Sequence, residues 1–196
     1  SDETAAQTAQ ANAETAKVMF SSKLKLANDK AGEVAALLVE VRAIKAAEIA
    51  KAEAIIKAEA IAKAARITTT VNAVKAISDA TTAELAAAEI KATEVGTGLT
   101  EIKAIAGEYS AAQSKADAAQ IAADAAGAAL ADAKTGAALI ANANTAALAA
   151  QTVSDETAAQ TAQANAETAK VTFTSKLELA YVKASEVATL LVEVRA

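Results

Sequence analysis

The apolar positions of this chain follow a helical period over most of its length. Val34, Leu37, Leu38 and Val41 stand at i, i+3, i+4 and i+7, which makes one stripe of an amphipathic helix. The same quartet returns as Val187, Leu190, Leu191 and Val194. Between the two the pattern changes. Ile49, Ile55, Ile61 and Ile67 recur every six residues, and six residues turn a helix through about 240°, so these side chains point in three directions. Between residues 111 and 153 there are 21 Ala and only five charges. In that stretch Ile121 and Leu139 share one azimuth, and Leu130 and Leu148 share the opposite one. Gly127 and Gly136 would let a neighbour approach closely. A helix apolar on several sides needs several neighbours, and other chains are expected to supply some of them. Residues 49–65 place Ala at most even positions and so imitate strand alternation. Ala is the best helix former and a poor strand former, so helix is the reading there too.

Little interrupts these periods. The chain has no Pro and six Gly. Two of the glycines fall within three residues at Val95-Gly96-Thr97-Gly98, where positive φ values could end a helix and turn the chain. The pattern therefore predicts an all-α fold, a long antiparallel helical hairpin or bundle, with its turn at Gly96, Thr97 and Gly98. A compact up-down bundle is the competing arrangement. It needs breaks near Phe20-Ser21-Ser22, Ser78-Asp79, Gly107 to Ser110 and Thr152 to Ser154, with Ser78, Thr81 and Ser154 as N-caps.

Self-similarity is the strongest signal in the chain. Residues 154–196 repeat residues 1–43 with 36 of 43 positions identical, at an offset of 153. The sequence thus holds one helical repeat unit, 1–153, and the start of the next copy, 154–196. A weaker half-period divides the unit into 1–77 and 78–153, since Ser78-Asp79-Ala80-Thr81 resembles Ser1-Asp2-Glu3-Thr4. Tandem repetition of this kind marks an array protein. The chain opens on Ser1 without Met, and a fragment or mature region of a longer protein is expected. Seven positions differ between the copies: 19/172, 21/174, 25/178, 28/181, 29/182, 32/185 and 36/189. Asn28-Asp29 to Gly32 looks like a turn, but Tyr181-Val182-Lys183-Ala184-Ser185 does not, so a continuous helix suits both.

Composition narrows the chemistry. Ala fills 62 of 196 positions, and His, Cys and Trp are absent. Disulfide scaffolds, Cys/His zinc sites, thiol nucleophiles and His-based triads are excluded for want of the residues. The 24 acidic and 19 basic residues are interspersed, for a net charge of -5. Without a basic patch, and with only Phe20, Tyr109, Phe173 and Tyr181 as aromatics, nucleic-acid binding is not expected. Phe20 and Phe173 occupy equal positions in the two copies and read as packing anchors. Carboxylates are the remaining catalytic material. Glu48, Glu53, Glu59, Glu84, Glu89 and Glu94 lie on predicted helices, yet a di-metal carboxylate bundle needs a Glu-x-x-His element. They read as solvated surface charge, so no catalytic residue, cofactor or metal is expected. The 20 uncharged residues from Thr135 to Ser154 have the length of a membrane span. Asn142, Asn144, Thr145, Gln151 and Thr152 lie among them, and a helix buried in a helical assembly is the better reading.

The expectation is a non-catalytic structural protein: an alanine-rich helical repeat module that self-associates into a fibre or surface layer, with an extracellular setting favoured. Its partners would be other copies of itself. The packing and self-association residues would be Val34, Leu37, Leu38, Val41, Ile121, Leu130, Leu139, Leu148, Val187, Leu190, Leu191 and Val194. The composition is similar to that of alanine-rich helical insect silks, without a shared motif. Pairs such as Thr4/Thr15, Thr70/Thr81 and Thr157/Thr168 stand 11 residues apart on Ala-rich helices. In this they resemble type I antifreeze proteins, which implies ice as an alternative surface, although the spacing does not continue as a run. A third alternative, a lipid surface bound through 11-residue repeats as in lipid-droplet coat proteins, wants a single apolar face that the isoleucine pattern lacks.

Overall fold

The computed structural model describes residues 2–196 and is helical throughout, with no strand among the described residues. Helix α1 spans Asp2–Glu108, a single 3-10 turn covers Ser110–Ala112, α2 spans Gln113–Thr152 and α3 spans Glu156–Arg195. The chain divides into two compact units, residues 1–59 and 60–196. This spatial division is distinct from the 153-residue sequence period.

The glycine pair at 96–98 does not turn the chain. Helix α1 runs through Gly96, Thr97 and Gly98, and no glycine among the described residues has a positive φ. Two glycines inside a helix cost about 1 kcal/mol each relative to Ala. Only the second of them is packed against a neighbouring helix; Gly96 is exposed with nothing within 4 Å of a Cβ position. Gly98 is buried, and a Cβ there would lie 3.6 Å from Leu191 and 3.8 Å from Val187. The backbone is also tied locally, with the Thr100 hydroxyl donating to the Gly96 carbonyl at 2.8 Å.

The chain turns instead at two of the four breaks of the competing arrangement. Tyr109 leaves the helix in an extended conformation (φ -126, ψ 106), and its carbonyl accepts from the Ala112 N–H at 2.9 Å to start the 3-10 turn. At the second link Ser154 has φ 54, the only positive φ of a non-Gly residue among the described residues. The following Asp155 N–H donates back to the Ala150 carbonyl at 2.9 Å, closing the end of α2. Asp155 then begins α3, its carboxylate accepting from the Ala158 N–H at 3.0 Å. The cap is therefore Asp155 rather than Ser154. A carboxylate at a helix start also meets the positive end of the dipole. The helix passes without interruption through Phe20 to Ser22, Asn28 to Gly32, Ser78 and Thr81.

Residues 60–196 form a bundle of three packed helices: the C-terminal part of α1, then α2 and α3. The α2 seam consists of Ala119, Ala122, Ala126, Ala129, Ala133, Gly136, Ile140, Ala143, Ala147 and Ala150, all buried. Steps of three and four alternate along it, the heptad spacing of packed helices. Helix α1 contributes Ile67, Val71, Val74, Thr81, Ala88, Val95 and Ile102 at compatible spacing. The core falls into three clusters along the bundle. At one end Ile67, Val71 and Val74 of α1 fill the space between alanines of α2 (Ala143, Ala147, Ala150) and α3 (Ala159, Ala162, Ala166). In the middle the large buried side chains come from α2 and α3 (Leu130, Ile140, Phe173 and Leu177), with Ala88 buried on α1 and Ile77 and Leu85 of α1 packed against them. At the far end Val95, Ile102 and Val187 close over Ala116, Ala119 and Ala122. Small residues opposite large ones let helices approach toward the short end of the about 8–10 Å interaxial range.

Among the glycines, Gly136 is the most closely approached. A Cβ there would stand 3.1 Å from the Phe173 Cβ and 3.2 Å from its Cα. Phe173 itself is fully buried. One polar atom in this core, Asn144 Oδ1, is buried without a hydrogen-bond partner.

In the other unit, residues 2–59 are helical and exposed at every position. Each large apolar side chain from Val18 to Ile56 faces solvent.

Candidate self-association surface

The two copies of the repeated segment meet opposite environments. Val187 is 1% exposed, with Leu190, Leu191 and Val194 packed around it. The matching quartet Val34, Leu37, Leu38 and Val41 is exposed, Val34 to 65%. Phe173 is 0% exposed and Phe20 is 69% exposed. Residues 2–59 thus carry many exposed large apolar side chains, including Met19, Leu24, Leu26, Ile44 and Ile49.

On α2 the large side chains divide. Leu130 is buried, while Ile121, Leu139 and Leu148 face outward. The sharing of azimuth between Leu130 and Leu148 does not extend to their burial. The surface that α2 presents to its neighbours in the bundle is the alanine seam. Sequence reading missed that seam because it sought large residues, and Ala is too abundant there to stand out. Two signals could have exposed it. The five charged residues of the segment (Lys115, Asp117, Asp124, Asp132, Lys134) all lie off the seam, and Ile140 and Gly136 lie on it.

Charged side chains tie α3 to its neighbours. Near its start, Arg66 of α1 forks onto Glu156, Nε donating to Oε1 at 2.6 Å and Nη2 to Oε2 at 3.1 Å. At its end Arg195 does the same to Glu101 of α1, both bonds at 2.6 Å. Between them Lys176 pairs with Asp132 of α2 at 2.8 Å, and Lys115 of α2 pairs with Glu193 at 3.3 Å. Bidentate bonding by each guanidinium, reinforced by its charge, holds the Glu156 and Glu101 carboxyls below their ordinary range. The Arg66 and Arg195 guanidiniums shift upward for the same reason. By contrast, the Lys30–Glu33 pair in the first copy and the Lys183–Glu186 pair in the second are both local, within one helix.

The carboxylates weighed for chemistry are exposed along α1. Glu89 meets Lys134 at 2.8 Å and Glu94 meets Lys91 at 2.6 Å. No group of three or more His, Cys, Asp or Glu residues suited to a metal ion occurs among the described residues. The concavities lie at helix edges, one of them bordered by Lys91, Val95, Gly98, Tyr181, Val187 and Leu191. No helix among the described residues is long and apolar enough to cross a membrane. Comparison with known proteins finds no matching family model, no matching curated protein and no matching solved structure.

Proposed function

We propose that this chain is a non-catalytic structural module of a tandem-repeat protein, and that it assembles with other copies into a fibre or surface layer. The observation that carries this reading is the uncovered apolar surface of residues 2–59. Val18, Phe20, Leu24, Val34, Leu38 and Ile44 are all more than two-fifths exposed. At ~25 cal/mol per Å² of apolar surface, covering even part of that area is a substantial driving force for association. The carboxylates lie along exposed helix rather than converging in a cleft, which is the arrangement of solubilising charge. An extracellular setting accords with a layer or fibre. Sedimentation velocity and negative-stain microscopy over a rising concentration series test the proposal. Species larger than one chain, growing with concentration, are expected. A chain that stays monomeric and forms no filaments at high concentration overturns it.

A further inference from the structure

The exposed first copy is the twin of a helix already seated in a bundle, and the seat identifies its partner. Every buried side chain of α3 has the same residue 153 positions earlier. Phe20, Leu24 and Val34 answer to Phe173, Leu177 and Val187. The ionic contacts follow the same rule. Glu3, Lys23, Glu40 and Arg42 answer to Glu156, Lys176, Glu193 and Arg195, which meet Arg66, Asp132, Lys115 and Glu101. None of those four partners lies outside residues 60–152.

The seven differences between the copies avoid the fully buried positions of α3. Five of them in α3, at Thr172, Glu178, Val182, Ser185 and Thr189, are exposed. The other two, Thr174 and Tyr181, are half-buried, and Tyr181 packs against the core layer that holds Ala88, Leu130 and Leu177. Five of the seven changes fall where the third helix meets solvent, and every fully buried position of α3 has stayed constant.

We infer that residues 2–43 are the third helix of a bundle whose other two helices have the sequence of residues 60–152 and belong to the preceding unit of a tandem array. Helix α1 then contributes to two successive bundles: residues 2–43 to the preceding one and residues 67–106 to its own. The apolar face of the first copy is in that case an internal joint of the array. This inference rests on the repeat-module reading above, but it concerns contacts within one polypeptide, whereas the concentration series reads association between chains.

Two measurements test it. The first gives α3 the first copy's residues in the full chain, by T172M, T174S, E178K, Y181N, V182D, S185G and T189A together. If the first copy can fill the seat, amide protection of α2 persists and its urea midpoint drops only modestly. Loss of α2 protection overturns the inference. The second fuses residues 1–153 directly before the full chain. Amide exchange of the original residues 2–43 should slow at least 100-fold and approach that of residues 156–195. Phe20→Ala should then reverse the slowing around it. Unchanged exchange at residues 2–43, with the downstream bundle still protected, overturns the inference. If the fused chain fails to protect either bundle, the seven-substitution chain decides alone. A monomeric fused chain with protected residues 2–43 would uphold the joint and count against assembly between chains.

Discussion

Residues 1–43 and 154–196 are nearly the same peptide, yet in one copy Phe20 stands in solvent and in the other Phe173 is sealed. Residues 2–43 and 156–195 are both helical, so the local code suffices for secondary structure in either setting. Ala-rich composition, the absence of Pro and local pairs such as Lys30–Glu33 and Lys183–Glu186 act the same way in each. What differs is tertiary. The second copy has α1 and α2 beside it, and its apolar stripe becomes core. Helix formation and burial are therefore separable in this molecule, and the two copies form an internal control for the energy of packing.

The largest break in that symmetry should come from the paired phenylalanines. Phe173→Ala removes a fully buried ring and leaves a cavity among Ile140, Leu130 and Leu177, which should destabilise the bundle by about 3–5 kcal/mol. Phe20→Ala in the unextended chain removes an exposed ring and should change stability by no more than about 0.5 kcal/mol. Urea unfolding read from amide protection of α2 compares the two directly. Equal losses would mean that Phe20 also supports the bundle.

Glycines offer a second contrast. Gly136→Ala would force a methyl to within 3.1–3.3 Å of Phe173 backbone and Cβ atoms. A helix backbone cannot yield as a flexible side chain can, and a loss of about 1–3 kcal/mol is expected. At Gly127 nothing lies within 4 Å of a new Cβ. Gly127→Ala should instead stabilise the bundle by up to about 1 kcal/mol through helix propensity. The opposite signs, measured by the same urea assay, would separate close approach from backbone entropy. Two losses of similar size would refute the seam geometry.

These contrasts also show what could be read without coordinates. The all-helical character was legible because Ala content and missing Pro leave no alternative. The turn was misplaced because a glycine pair has two physical uses. Gly98 lies buried inside the helix beside Val187 and Leu191, and the chain turns at Tyr109, where no glycine adopts positive φ. Large apolar residues on α2 suggested its faces, but the buried face consists of alanine, which carries no contrast in an alanine-rich sequence. The quartet at Val34 and its twin at Val187 were legible as one stripe. The pattern alone could not say that one copy would be covered and the other bare, because burial depends on what stands opposite.

Smaller effects belong to the helix start. Asp155→Ala removes the side chain that accepts the Ala158 N–H and should cost about 1 kcal/mol. Asp155→Asn should retain most of that contribution, since an amide oxygen can accept the same bond. Thermal melts of the two variants check it. An equal loss for Asn would assign the role to charge rather than capping.

The smallest expected effect concerns pH. Glu101 and Glu156 accept two N–H bonds each from Arg195 and Arg66, which holds their carboxyls low in the folded chain. A carboxyl with a depressed folded value binds its proton more tightly when unfolded. Its contribution is therefore complete above the unfolded value of about 4.3, and it is lost as pH falls through the lower folded value. Stability of the bundle should be level with respect to these two groups from pH 7 to about 5 and decline below that. Both pairs are open to solvent, so the decline should be shallow and should weaken as salt is added. Glu101→Gln with Glu156→Gln should flatten the acid limb of a melting-temperature profile taken from pH 7 to pH 3. Glu3→Gln, at the matching position of the first copy, should leave that limb unchanged. An identical slope in the double variant and the parent chain would show that the two guanidinium clamps at the ends of α3 orient the helix without stabilising it.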